Sequence, residues 1–232
     1  MLRRMPLGSC CDGPRGFPFR KLRRNTLAHG FSLTELLAAI SVGLILAAVT
    51  IVNVQTATRS IRLSESASGY ANLLQQARIR AIRDDRFYTV VTATPGGAAP
   101  YAFVDLQGTG VLAPGDPVVA FQAGVQPQPF ASGPALVNLK SQFLPPGPSA
   151  QNTVNVALAP TFGPRGLPCT PAAGAGGSVT CPYLSPPNFT PTSFITFMQN
   201  LQSGSWQAVT VTPAGRIRLW SYDGSSTWSP MN

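Results

Sequence analysis

The sequence predicts an α+β protein. One long N-terminal helix, membrane-spanning in its first half, packs on a C-terminal antiparallel β domain. Three observations predict this. The first is where proline falls. Of 23 prolines, three lie at or before Pro18 and the rest at or after Pro95. Proline inside a helix costs about 3 kcal/mol, so a proline-free tract within a proline-rich chain reads as one continuous helix. The second is a change of pattern along that tract, from an unbroken apolar run to a single apolar stripe. The third is the character of the chain after Pro95. Short pieces rich in Val, Thr, Phe and Tyr alternate with Pro and Gly, as strands between turns do.

A length of 232 residues allows one domain with an appendage, at roughly 100–200 residues per domain. Charged residues are 11% of the chain, against about 25% for an ordinary soluble domain. A highly charged cytosolic domain and charge-driven disorder are both disfavoured. The formal charge of +9 is concentrated at the start. Residues 1–30 hold seven of the 17 Lys/Arg and one of the eight acids, a net of +6. The sequence pI near 10.1 describes that stretch rather than the body.

The helix is expected over residues 31–86. Its first half, Leu36–Val54, is nearly unbroken apolar sequence, with no charge from Leu36 to Thr58. Such a run is about 28 Å long at 1.5 Å per residue, close to a bilayer's hydrocarbon core. The span is placed at about residues 33–55. In the second half, Leu63, Ala67, Tyr70, Leu74, Ala77 and Ala81 step by four and three, the spacing of one helix face. Arg59, Arg62, Glu65, Gln75, Arg78 and Arg83 fall elsewhere around it. This stripe is expected to pack on the molecule's own sheet. The proximal half is left to partner helices and membrane lipid. Seven Lys/Arg precede the apolar run, so the N-terminus stays cytoplasmic and the C-terminal domain is exported.

Residues 87–232 are expected to form the β domain. Strands are expected at Phe87–Thr94, Tyr101–Leu106, Val118–Phe121, Thr153–Leu158, Ser193–Leu201, Trp206–Thr212 and Arg216–Tyr222. Pro171–Gly177 reads as a flexible loop. Nothing repeats at a fixed period.

Catalytic chemistry has little to be built from. His29 is the single histidine and the acids are scattered, so an enzyme is not expected. The four cysteines, Cys10, Cys11, Cys169 and Cys181, contain no CxxC pair, which disfavours zinc. No cofactor and no metal are expected.

The informative segment is Gly30-Phe31-Ser32-Leu33-Thr34-Glu35-Leu36-Leu37. A glycine ends the basic stretch, a large apolar residue follows, and a lone carboxylate stands at the edge of the span. An acid in a transmembrane segment costs about 2.5–3.5 kcal/mol at the bilayer centre and marks a functional site by default. A blander account is a capping box, Ser32-x-x-Glu35, with the side chains satisfying free amides of the first turn.

These residues resemble the type IV prepilin family, whose members carry a basic leader ending in glycine. An aromatic residue follows, then a helix with glutamate at the fifth mature position. The resemblance implies a type IV pilin-like fold and cleavage after Gly30 by prepilin peptidase, which removes residues 1–30 as a leader. It implies N-methylation of Phe31. It implies assembly with other pilin or pseudopilin subunits through the N-terminal helix, Glu35 meeting the N-terminal ammonium of a neighbour. The subunit would be a single-pass inner-membrane protein with a periplasmic C-terminal domain, and part of a filament after assembly. Two departures stand out. A 30-residue leader is long, and the membrane half of the helix lacks the proline many major pilins have.

A narrower resemblance is to the GspH/FimT family of minor pseudopilins. It rests on Thr212-Pro213-Ala214-Gly215-Arg216-Ile217-Arg218-Leu219 and on Gln76-Ala77-Arg78-Ile79-Arg80-Ala81-Ile82. It implies a structural role in initiating or capping a type II secretion pseudopilus or a type IV pilus. The middle segment, Pro95–Pro191, resembles no named family.

Strand alternation puts Arg216, Arg218, Trp220 and Tyr222 on one face. Ile217 and Leu219 fall on the other, the expected core face. The short loop Pro213-Ala214-Gly215 places glycine where a positive φ is needed. A basic face with aromatic neighbours suits single-stranded nucleic acid, and some FimT-like members use this motif to capture DNA. The alternative is a solvated strand face, or an edge strand protected by charge. Cys169 and Cys181 are the cysteines left after cleavage at Gly30. In an exported, oxidising compartment they are expected to pair as a disulfide. Cys10 and Cys11 belong to the leader. Two other functions stay open: a DNA-binding minor pilin in DNA uptake, and a secreted β protein with a conventional signal peptide cut near residues 47–57.

Overall fold

The proline-free tract is helical throughout. Helix α1 runs from Leu33 to Asp84. The computed structural model describes residues 32–96, 98–128, 133–134, 139, 142, 153–155, 159–170, 172–173, 179–180 and 192–231. The expected leader lies outside the described residues. Contacts divide the chain into two units, Met1–Ala47 and Ala48–Asn232.

In the first unit the described residues are helical from Leu33, and all of them are exposed. Ser41 Oγ turns back on the carbonyls of Leu37 and Ala38, 2.9 Å from each. Its hydroxyl is thus satisfied within its own helix, as an apolar surrounding requires. α1 is long and apolar enough to cross a membrane by length and composition, and its most apolar window is not buried.

In the second unit α1 ends at a Schellman-type stop. Asp85 takes a left-handed φ of 51°, and Arg86 N–H reaches back to the Ala81 carbonyl at 3.2 Å. Thirteen strands follow among the described residues. They are β1 Tyr88–Ala93, β2 Tyr101–Asp105, β3 Val118–Ala120, β4 Val125–Gln128, β5 Thr153–Asn155, β6 Thr161–Phe162 and β7 Pro168–Cys169. After these come β8 Ala172–Ala173, β9 Val179–Thr180, β10 Thr192–Asn200, β11 Trp206–Val211, β12 Ile217–Tyr222 and β13 Trp228–Pro230. One sheet has the order β3-β2-β1-β6-β7. A second has β13-β12-β11-β10-β4, with β5 also on β10, and β8 pairs with β9. The pairings are antiparallel except that of β5 with β10.

The fold is therefore α+β, a long helix with an antiparallel β domain. Each of the six stripe residues of α1 is at most 2% exposed. They share one core with Tyr88, Val90, Ala102 and Phe162 of the first sheet and Phe194, Met198, Val209 and Val211 of the second. The buried arc is wider than the stripe, because Ser66, Ala71 and Leu73 are also inside. Ser66 Oγ remains satisfied there. It donates to Arg62 O at 2.8 Å and accepts from Gln122 N–H at 3.0 Å. Burying a large apolar side chain stabilises by about 1.5–3 kcal/mol, so this face holds the distal helix to the sheets.

The second sheet has a further core on its other face, formed by Leu139, Ile195, Phe197, Ala208, Trp220 and Trp228. A sheet covered on both sides explains why β10 is buried almost throughout its length. All seven expected strands are present with ends shifted by a residue or so, β10 starting one residue early at Thr192 and β5 ending at Asn155 within the described residues. Six strands were not expected: β4, β6, β7, β8, β9 and β13. The Pro171–Gly177 loop is corrected in part, since Ala172–Ala173 pair with Val179–Thr180.

Candidate functional sites on the helix and at strand β12

Gly30 and Phe31 lie outside the described residues. The helix begins just after them. Glu35 N–H and Leu36 N–H donate to the Ser32 carbonyl at 3.0 and 3.1 Å. Ser32 Oγ pairs with Thr34 Oγ1 at 2.9 Å. The side-chain bonds of a capping box are therefore not made. Glu35 is exposed, and its carboxylate has no partner among the described residues. The chemistry of this end is one acid, unpaired among the described residues, ahead of an uncharged helical run from Leu36 to Thr58.

The other candidate, the Gly-Arg-x-Arg segment, sits where β11 turns into β12. Thr212 N–H donates to Arg216 O at 2.9 Å, and Gly215 N–H to Thr212 O at 2.7 Å. Thr212 Oγ1 accepts Arg216 N–H at 3.1 Å. Gly215 has φ 77°, as the short loop requires. A second constraint also selects glycine here. A Cβ at 215 would stand 2.6 Å from the Gly166 carbonyl oxygen. Two turns meet at this point, 163–167 and 212–216.

Arg78 joins them to the helix. Its Nε donates to Gly166 O at 3.0 Å and its Nη1 to Gly215 O at 2.9 Å. The sequence shows Arg78 as a charge off the apolar stripe, within the Gln76–Ile82 run, with no partner indicated for it. A second glycine-bearing turn, Gly163-Pro164-Arg165-Gly166, was the available signal, but nothing local says that the two turns touch.

Arg216 is exposed and Arg218 half-buried. Together with Ile217, Leu219, Asn72 and Gln75 they line an open cavity of about 420 Å³. The aromatic half of the expected basic face is corrected. Trp220 is 1% exposed and belongs to the second core. Its Nε1 donates to Thr210 Oγ1 at 2.9 Å. The Tyr222 ring packs 5.1 Å from that of Trp228. The Trp220 ring is turned into protein because the sheet is covered on both faces, and the Tyr222 ring is half-buried against the same core, so the pair is not the exposed platform expected for a base. Ile217 and Leu219 do pack toward the helix-side core, as expected.

The carboxylates of the β domain are occupied by main-chain donors. Asp105 Oδ1 accepts N–H groups of Gln107, Gly108 and Thr109, and Oδ2 that of Gly110, between 2.6 and 3.2 Å. Asp116 accepts from Leu106 and Ala113 in the same loop. Asp223 accepts from the Ser225 hydroxyl and from the N–H groups of Thr227, Ser225 and Ser226, which hold its carboxyl far below the usual range. Among the described residues no group of three or more His, Cys, Asp or Glu is placed to hold a metal. Cys169 is buried on β7; Cys181 lies outside the described residues.

Comparisons with protein-family models, with curated proteins and with solved structures found no match.

Proposed function

We propose that this chain is a type IV prepilin-like protein, a minor pseudopilin of the GspH/FimT kind. It is a structural subunit rather than an enzyme, helping to initiate or cap a type II secretion pseudopilus or a type IV pilus. One observation carries the reading. Gly30-Phe31 is followed by Glu35 on an exposed stretch of helix whose next charge is Arg59, and the Glu35 carboxylate has no partner among the described residues. The distal half of the same helix is buried against β sheets, which supports a subunit whose free half serves assembly.

The physics of Glu35 follows from that placement. A carboxylate beside hydrocarbon is costly unless paired. A neighbour's N-terminal ammonium at about 4 Å would return roughly 4 kcal/mol at an effective dielectric constant of 20. Prepilin peptidase, other subunits and membrane lipid are the partners on this reading. The location is the inner membrane, with the β domain periplasmic. A Cys169–Cys181 disulfide belongs to the same reading, supported by the short spacing and the buried place of Cys169.

Two measurements test it. N-terminal sequencing of membrane-extracted protein is expected to begin at methylated Phe31. A start within residues 47–58 would mean a conventional signal peptide instead. Glu35→Ala is expected to insert normally, since it removes a polar group, and to fail in filament assembly. Assembly equal to the parent's would remove the pairing role.

A further inference from the structure

We infer that the cavity beside the open edge of β12 docks an extended acidic segment of a partner protein. The inference goes beyond the assembly reading and does not rest on it.

The edge comes first. Because Thr212 N–H bonds Arg216 O, the main-chain groups of Arg216 and Arg218 turn toward β11, and those of Ile217 and Leu219 turn away from it. Strand β13 pairs with β12 only from Trp220 onward. Met231 N–H takes the Leu219 carbonyl at 2.9 Å. Among the described residues, the N–H and C=O of Ile217 therefore remain on the open edge, where an added strand finds one donor and one acceptor.

Charge selects the occupant. The cavity is lined by Arg216 and Arg218 and, among the described residues, by no carboxylate. Alternate residues of an added strand fall on one face, so carboxylates two apart match arginines two apart. Guanidinium–carboxylate pairs are strong, directional bonds. The occupant is not a second copy of this chain, because none of its eight acids stands two residues from another. A base-stacking nucleic acid is disfavoured because Trp220 is buried in the second core and Tyr222 is half-buried against it.

The test uses the full chain in nonionic micelles and a short dye-labelled peptide of alternating valine and glutamate, followed by fluorescence polarisation. Saturable binding is expected, absent for the valine–lysine counterpart. It is expected to weaken about tenfold or more when salt rises from about 50 to about 500 mM. Arg216→Ala with Arg218→Ala should weaken it by a similar factor, the circular dichroism being unchanged. Two further probes carry N-methyl groups along one edge or the other, and one of the two is expected to lose binding. Failure of the glutamate probe overturns the inference. So does full binding by both N-methylated probes, which would reduce the site to a diffuse cation. Tighter binding of oligothymidylate than of the peptide overturns it in favour of nucleic acid. If the double variant does not fold, the salt and N-methyl arms on the parent chain still decide.

Discussion

Replacing Arg78 by methionine keeps the length and most of the bulk of the side chain and removes its donors. Two main-chain carbonyls, those of the buried Gly166 and Gly215, then lose bonds of 3.0 and 2.9 Å. A hydrogen bond to a charged donor contributes about 1.5–3 kcal/mol. Arg78 is itself half-buried, so water can recover part of the loss, and about 3 kcal/mol is expected for the pair. A domain of this size loses about 2–4 °C of Tm per kcal/mol, which predicts a fall of about 6–12 °C. Thermal unfolding of the full chain in nonionic micelles reads it, through near-ultraviolet circular dichroism. The three tryptophans, Trp206, Trp220 and Trp228, all belong to the β domain and report on it alone. Arg78→Lys should fall between parent and Arg78→Met, because one ammonium cannot repeat the two-pronged contact. A Tm within about 1 °C of the parent for Arg78→Met would refute the reasoning and show the two turns holding each other without the helix.

Two other perturbations follow from buried groups. Burial pushes the Tyr70 hydroxyl up to about 12, with its bond to Thr196 acting the other way. Tyrosine is neutral in both states below its ordinary value near 10; above that, the unfolded chain ionises first, so stability should fall as pH rises from about 10 toward 12. Tyr70→Phe should flatten that alkaline limb in pH-dependent melting. Asp105→Ala leaves four N–H groups of the 105–110 loop without their acceptor; several of them can reach water, and a loss of about 2–3 kcal/mol is expected in chemical unfolding.

The helix was legible because its signals are local. Proline's absence, an uncharged run and a four-three spacing all act within one or two turns of the residue concerned, and Leu63 through Ala81 are buried as that spacing requires. The long strands were legible for the same reason. Strands such as β6 and β7 were not, since two residues carry no period; they exist only because Thr161 and Phe162 find β1 on one side and β7 on the other.

The β12 segment shows how a correct alternation can still mislead about a site. Odd and even residues do part to opposite faces, and Ile217 and Leu219 do meet the helix side. Alternation says nothing of what covers the second face. That depends on Leu139, far away in sequence, and on Trp228 of the next strand, which share a core with Trp220 and leave Arg216 and Arg218 as the polar end of an otherwise apolar face. Arg78 was overlooked for a related reason. A guanidinium off the apolar stripe looks solvated until the chain brings two glycine turns together beneath it. Gly215 was expected to answer only to the turn's φ. The 2.6 Å approach that a Cβ would make to Gly166 O adds a demand from the other turn, so the glycine and the first arginine of the motif are adjacent for separate reasons. The glycine lets the turns close under Arg78, and the arginine is left exposed just before the strand that follows.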